Sequence, residues 1–481
     1  MSGYTAAMRR VLPLLLLAAL PARASVCPGY TVCPTVRYPH VIATNPTALS
    51  QLAAINTIEA ASVAGLSQTG LTFSQLLELL GEVLVYDRSL SATGTEACAL
   101  CHDAGAGFSG DIPPFARGGG IFPGTDAHRT GYRTPQSLAY AGYAPVLSYN
   151  TATSTFTGGN FWDERATGLV TGNAASDQPE FALTTPFEMA LPDPACAVRR
   201  VSLAPYSAVF ALVWGAEALD IKWPRDTDKV CGRLNDGGAN QTPLALSPAD
   251  RTRATNTVHQ IGNTIAAFET SSLSSPFTAK FDAVQAGAAA FTPSEKLGYA
   301  LFTGSAHCGE CHAATGSHAL LTNFTNANIG LPHNQDVPYL TENAPDRSGY
   351  VANPAGPGFI DQGFGGFLAS AANTNTQWQA LAPQYVGTFQ VPTLRNVAAG
   401  RQRSYAHNGY FTDLKLLVHF FNTRDVLPRC TGSSGVGVTC WPAPEVSQNV
   451  NTAQMGNLGL SGAQEDALVA FLRTLTDGYA Q

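Results

Sequence analysis

Charge is scarce in this 481-residue chain. Asp, Glu, Lys and Arg make up 13% of it, and the formal net charge is only −7. No basic stripe is present, so the electrostatic footprint of a nucleic-acid binder is missing. Beyond residue 24 no segment is continuously apolar over the thickness of a bilayer, so no transmembrane segment is expected in the mature chain. Methionine is rare too, with four copies, and only Met189 and Met455 lie past the first few residues. What remains is the material of ordinary cores, since 45% of the residues are hydrophobic and the length allows two domains.

The N-terminus reads as an export signal. Arg9 and Arg10 form a charged start, Val11 to Leu20 an apolar stretch too short to span a membrane, and Ala22-Arg23-Ala24 a small-residue cleavage site. Residues 1–24 are therefore expected to be a signal peptide, and the mature protein to be periplasmic.

One pattern occurs twice: Cys98-Ala99-Leu100-Cys101-His102 and Cys308-Gly309-Glu310-Cys311-His312. Cys-x-x-Cys-His is the spacing of covalent c-type haem attachment. Two thiols one short turn apart add to the two vinyl groups of a porphyrin, and the next residue brings an imidazole under the iron. With ten Cys and ten His in the chain, a chance copy is expected roughly once in two hundred such sequences. Zinc would need four ligands per site, and neither copy has a second pair at finger spacing. A redox dithiol would have no need of the histidine. The reading is two covalently bound haem c groups, with His102 on the iron of haem 1 and His312 on the iron of haem 2.

Six cysteines are left: Cys27, Cys33, Cys196, Cys231, Cys430 and Cys440. In an oxidising compartment they suggest disulfides, and nearness in sequence favours Cys27–Cys33, Cys196–Cys231 and Cys430–Cys440 among the alternatives. Helical spacing runs from Leu71 to Tyr86. Ser247, Thr292 and Ser461 each open a further helix with capping signals, the last expected to stop at Gly478. Strand signals are short and scattered. The fold class expected is mainly α, with two cytochrome c-like haem domains, long loops and few short strands. The N-terminal haem domain spans 25–288 and the C-terminal one 289–481. Asn343 to Thr376 reads as a loop insertion.

Around the two motifs the sequence resembles the bacterial dihaem cytochrome c peroxidase and MauG family. The resemblance is carried by Phe161-Trp162-Asp163-Glu164-Arg165, Pro186-Phe187-Glu188-Met189, Pro392-Thr393-Leu394-Arg395-Asn396 and Tyr405-Ala406-His407-Asn408-Gly409, in that order. It implies an enzyme that reduces hydrogen peroxide at the N-terminal haem, on Cys98, Cys101 and His102. Electrons would enter through the C-terminal haem, on Cys308, Cys311 and His312. It also implies Glu188 as the distal acid–base group, Gln178 as a distal hydrogen-bonding residue and Trp162 as a bridge between the haems. The electron source would be a small donor protein, a cytochrome c or a cupredoxin. A MauG-like enzyme would instead oxidise Trp or Tyr residues of a partner protein, and a non-catalytic dihaem electron carrier is the rival from another class.

Two family features are altered. The position that carries the second haem's sixth ligand, Met or Tyr, is Phe421, which has no lone pair. Met455 is the candidate substitute, with Tyr410, His407, His419 or water as alternatives. The family's calcium ion between the haems uses an asparagine that is Thr134 here, leaving the Thr134 hydroxyl and the carbonyls of Val391 and Thr393 as candidate Ca2+ ligands.

Overall fold

The computed structural model describes residues 71–110, 120–237, 243–316, 318–400 and 404–480. The expected signal peptide and the Cys27–Cys33 pair lie outside them. Helices dominate, and the only sheets among the described residues are two two-stranded ones. Ser148–Asn150 pairs antiparallel with Thr155–Thr157, and Asn326–Ala327 with Phe389–Gln390. Among the described residues, no single helix is long and apolar enough to cross a membrane.

The chain forms two compact units, each assembled from separated stretches. The first comprises the residues up to Cys98, Thr125–Ala127 and Leu183–Phe268. Its opening helix, Phe73–Tyr86, starts where Thr72 and Gln75 close a capping box. Leu76, Leu80 and Leu84 recur at helical spacing and are fully buried. Gly81 lets this helix touch another, because a Cβ there would stand 2.2 Å from the Thr264 carbonyl. That partner, Pro248–Thr270, opens as expected, with the Ser247 hydroxyl receiving the Asp250 N–H. Ala195–Leu203 and Thr227–Cys231 are tied by the expected Cys196–Cys231 disulfide.

The second unit comprises Ala99–Gly124, His128–Ala182 and Glu269–Gln481. Its main core forms where Pro293–Thr303 crosses Gly462–Arg473, with Phe281, Phe302 and Phe471 buried between them. Thr292 with Glu295 and Ser461 with Gln464 close the capping boxes expected of them. The last helix stops at Arg473, short of Gly478, because the next two carbonyls are taken from elsewhere: Thr474 by Phe281 N–H and Leu475 by Asn396 N–H. Cys430–Cys440 is disulfide-bonded as expected. Asn343 to Thr376 is more than a loop. It carries the helix Gly363–Ala369, whose Phe364 and Leu368 join Leu147, Phe156 and Tyr385 in a small core. Its glycines mask the helix in the sequence, yet Gly365 is required, since a Cβ would come within 2.4 Å of the Val386 nitrogen.

Candidate active site

Each Cys-x-x-Cys segment forms a single helical turn, Cys98–Cys101 and Cys308–Cys311, that delivers the following histidine. The His102 Nδ1 lies 3.2 Å from the Phe108 carbonyl and the His312 Nδ1 2.8 Å from that of Leu321. A carbonyl can only accept, so this contact favours the tautomer protonated on Nδ1, in which Nε2 carries the lone pair. Burial pushes both imidazoles down to about 4, which keeps them neutral. A neutral, oriented Nε2 is what an axial iron ligand requires. The four motif cysteines stand outside the two disulfides. Burial pushes the Cys308 thiol up to about 12, the opposite of a reactive dithiol. Among the described residues there is no cluster of three or more His, Cys, Asp or Glu able to hold a metal ion by itself. Thiols and imidazoles in this arrangement therefore fit a haem and do not fit zinc.

A cavity within the second unit is lined by Cys308, Cys311 and His312, and also by Trp162, Gln178, Phe421 and Met455. Trp162 is fixed there by its indole N–H, which donates to the Thr134 carbonyl at 2.9 Å. The residues flanking that contact are locked by charge. Arg133 pairs with Asp163 at 2.7 Å and with Asp361 at 2.7 Å, and Arg165 adds a second cation to Asp163 at 2.8 Å. Burial works against these charges, but the partners outweigh it: both aspartates sit below the usual carboxylate range and Arg133 well above its own. Asp163 directly follows Trp162, whereas Asp361 lies 228 residues from Arg133, and no local pattern links them. Gln178 has a buried Oε1 with no protein partner, and its side chain reaches the same cavity as Trp162.

Met455 is placed by its neighbours. The Gly456 N–H donates to the Phe421 carbonyl at 2.6 Å, and the buried Arg424 donates to the Met455 carbonyl at 3.3 Å. Gly456 has φ +98°, and a Cβ there would lie 2.0 Å from Asp425 Oδ2. Met455 and Phe421 thus both line the cavity that His312 lines. His407 also lines the cavity, stacked on Phe389 with ring centres 3.5 Å apart. His419 and Tyr410 are not on the cavity wall. The first pairs with Glu465 at 2.8 Å and the second packs against Phe411.

Glu188 belongs to the first unit, half-buried in the turn after the helix Ala174–Thr184. Its N–H donates to the Thr185 carbonyl, and its own carbonyl accepts from Thr125 N–H at 2.8 Å. Of the groups considered for calcium, the Thr134 hydroxyl and the Val391 carbonyl each have one protein partner. The Thr134 hydroxyl donates to the Ala406 carbonyl at 2.8 Å and the Thr393 hydroxyl to that of Leu320 at 2.7 Å. The Val391 carbonyl accepts from Thr322 at 2.6 Å.

This combination of a mostly helical fold and two half-buried Cys-x-x-Cys-His sites defines a dihaem protein class, and comparison with known proteins agrees. The family model of di-haem cytochrome c peroxidases matches residues 76–290. Methylamine utilization protein MauG of Paracoccus denitrificans is 31% identical over 421 residues, covering 86% of this chain and 92% of that protein. Cytochrome-c peroxidase IdrP1 of Denitromonas iodatirespirans is 25% identical over 398 residues, covering 82% and 80%. The crystal structure of the diheme peroxidase BthA from Burkholderia thailandensis superposes with a TM-score of 0.61 at 26% identity, over 83% of this chain and 86% of that one. The chain belongs to the di-haem cytochrome c peroxidase and MauG family. It is a peroxidase-type oxidoreductase, and two haems are the cofactors its family implies.

Proposed function

We propose that this chain is a periplasmic peroxidase, exported by residues 1–24, with both haems held by thioether bonds. Cys98, Cys101 and His102 carry the peroxide-reactive haem of a domain ending near 288. Cys308, Cys311 and His312 carry the relay haem of the domain from 289 onward, through which electrons enter from a small donor protein. When bound, the haems supply the one-electron redox steps and an open coordination position for peroxide. The observation that carries this reading is the matched pair of half-buried histidines, each delivered by a Cys-x-x-Cys turn with Nδ1 on a backbone carbonyl.

The residues divide the remaining work. Glu188 takes a proton from the near oxygen of peroxide and returns one to the departing oxygen, so that water leaves instead of hydroxide. Gln178 contributes a side-chain amide whose buried Oε1 has no protein partner. Trp162, held by Thr134, is an oxidisable ring through which an electron can pass between the haems. Met455, on the same cavity as His312, would supply a thioether to the relay iron in place of the missing family side chain. The calcium ion that the resemblance implies would take the Thr134 hydroxyl oxygen and the Val391 and Thr393 carbonyls, each of which keeps a lone pair.

The 31% identity to MauG over most of both chains favours a second reading, in which the oxidising equivalents are spent on Trp or Tyr side chains of a partner protein. A plain electron carrier would have no use for a carboxyl at Glu188. The test is stopped-flow mixing of the holoprotein with hydrogen peroxide, with and without a reduced small cytochrome. Glu188→Gln is expected to slow the peroxide-dependent optical change by about two to four orders of magnitude. An unaltered rate removes Glu188 from the reaction. Turnover with the cytochrome supports the peroxidase reading, and a persistent oxidised state that ignores it supports the MauG-like one.

A further inference from the structure

We propose that Tyr140 and Tyr143 form an exit route by which one oxidising equivalent leaves the cavity for the protein surface. The route rests on the peroxide-dependent reading above and adds a terminus to it. Tyr140 is 1% exposed and lines the cavity that Cys308, His312 and Trp162 also line. Its hydroxyl donates to Asp477 Oδ2 at 2.8 Å and accepts from the Phe277 N–H at 3.0 Å. The Tyr143 ring lies 6.5 Å away, centre to centre, tilted by only 27°, and is 38% exposed. Phe277 touches both rings edge-on, at 4.8 and 5.9 Å. One wall residue of the cavity is therefore stacked on an exposed residue of the same oxidisable type.

The proton partners make the pair suited to this role. An oxidised phenol is a strong acid, so a buried tyrosine gives up an electron readily only where a base can take its proton. Burial and the Asp477 carboxylate raise the Tyr140 phenol above its ordinary range, so it does not react as a phenolate. The guanidinium of Arg395, 5.3 Å from the ring centre, opposes a cationic ring. Both effects direct the oxidation through proton transfer to Asp477. In the first step Tyr140 loses one electron to the peroxide-oxidised haem that Cys308, Cys311 and His312 would hold in this cavity, and its hydroxyl proton to Asp477, giving a neutral phenoxyl radical and a carboxylic acid. In the second, Tyr143 passes one electron to that radical and Asp477 returns the proton, restoring the Tyr140 phenol. Tyr143 donates its hydrogen bond to the Thr270 carbonyl, which is not basic, so its own proton leaves to solvent. Hydrogen peroxide is the two-electron oxidant: Tyr143 supplies one electron and one proton, and the second oxidising equivalent stays on the haems.

The experiment treats the holoprotein with hydrogen peroxide in the absence of an electron donor, with a nitroso spin trap present, and locates the adduct by peptide mass spectrometry. The wild type is expected to carry the trap on Tyr143, and dityrosine-linked dimers are expected to disappear in Tyr143→Phe. The Tyr143 adduct is expected to be lost in Tyr140→Phe, which keeps the packing ring, and in Asp477→Asn, which keeps Tyr140 and removes its base. In all three variants the optical response to peroxide should persist, which a merely structural role for these side chains would not separate from labelling. Survival of the Tyr143 adduct in Tyr140→Phe, or trapping only elsewhere, overturns the route while leaving the peroxidase reading intact. Absence of any optical response in the wild type overturns both.

Discussion

Phe421 has no lone pair for iron, and the proposed substitute, Met455, precedes the glycine that hydrogen-bonds the Phe421 carbonyl. Arg424, that carbonyl and the positive φ of Gly456 fix the backbone at 455–456. A thioether there would raise the reduction potential of the relay haem relative to an oxygen ligand. Met455→Leu keeps the volume and removes the donor. Its electron paramagnetic resonance spectrum is expected to lose the low-spin ferric signal and gain a second high-spin one. An unchanged low-spin signal would assign the ligand elsewhere. Met455 was accessible from the sequence by elimination, since the chain offers so few methionines. Tyr140 was not, because its significance lies in Asp477, in Tyr143 and in the cavity wall, and none of these contacts follows from a motif.

Helix starts were legible and helix ends were not. Thr292 with Glu295 and Ser461 with Gln464 are local signals, and a capping box forms within four residues whatever surrounds it. The end at Arg473 depends on Phe281 and Asn396, which arrive from distant stretches to take the next two carbonyls. The crossing of Pro293–Thr303 with Gly462–Arg473 is equally non-local. It depends on Gly298, where a Cβ would stand 1.9 Å from the Ala467 carbonyl. The obstruction is backbone, so the helices themselves must part. Gly298→Ala is expected to destabilise the protein by about 1–3 kcal/mol, read as a lower midpoint in urea denaturation. An unchanged midpoint would mean that the crossing is looser than it stands here. Because the same helix runs toward Cys308, the variant should also disturb the relay haem's absorption bands.

At the scale of the molecule, the two haem motifs, the mainly helical class and the family were readable in the chain, since each rests on short patterns or their order. The assembly into units was not. Separated stretches build each one, and Asp361, which holds Arg133 beside Thr134, comes from the middle of a segment that reads as an insertion. Glycine and proline mark such segments as loops, while their packing is decided by residues hundreds of positions away. The claim on which the functional account depends is covalent: two haems on one chain, one on each Cys-x-x-Cys-His. The direct measurement is the haem content of the protein after export and maturation, with the chain unfolded in acid and extracted with organic solvent before the pigment is counted. Two haems per chain should stay with the protein, and Cys308→Ser combined with Cys311→Ser should leave one. Haem that extracts freely, or a wild-type count below two, would contradict the account.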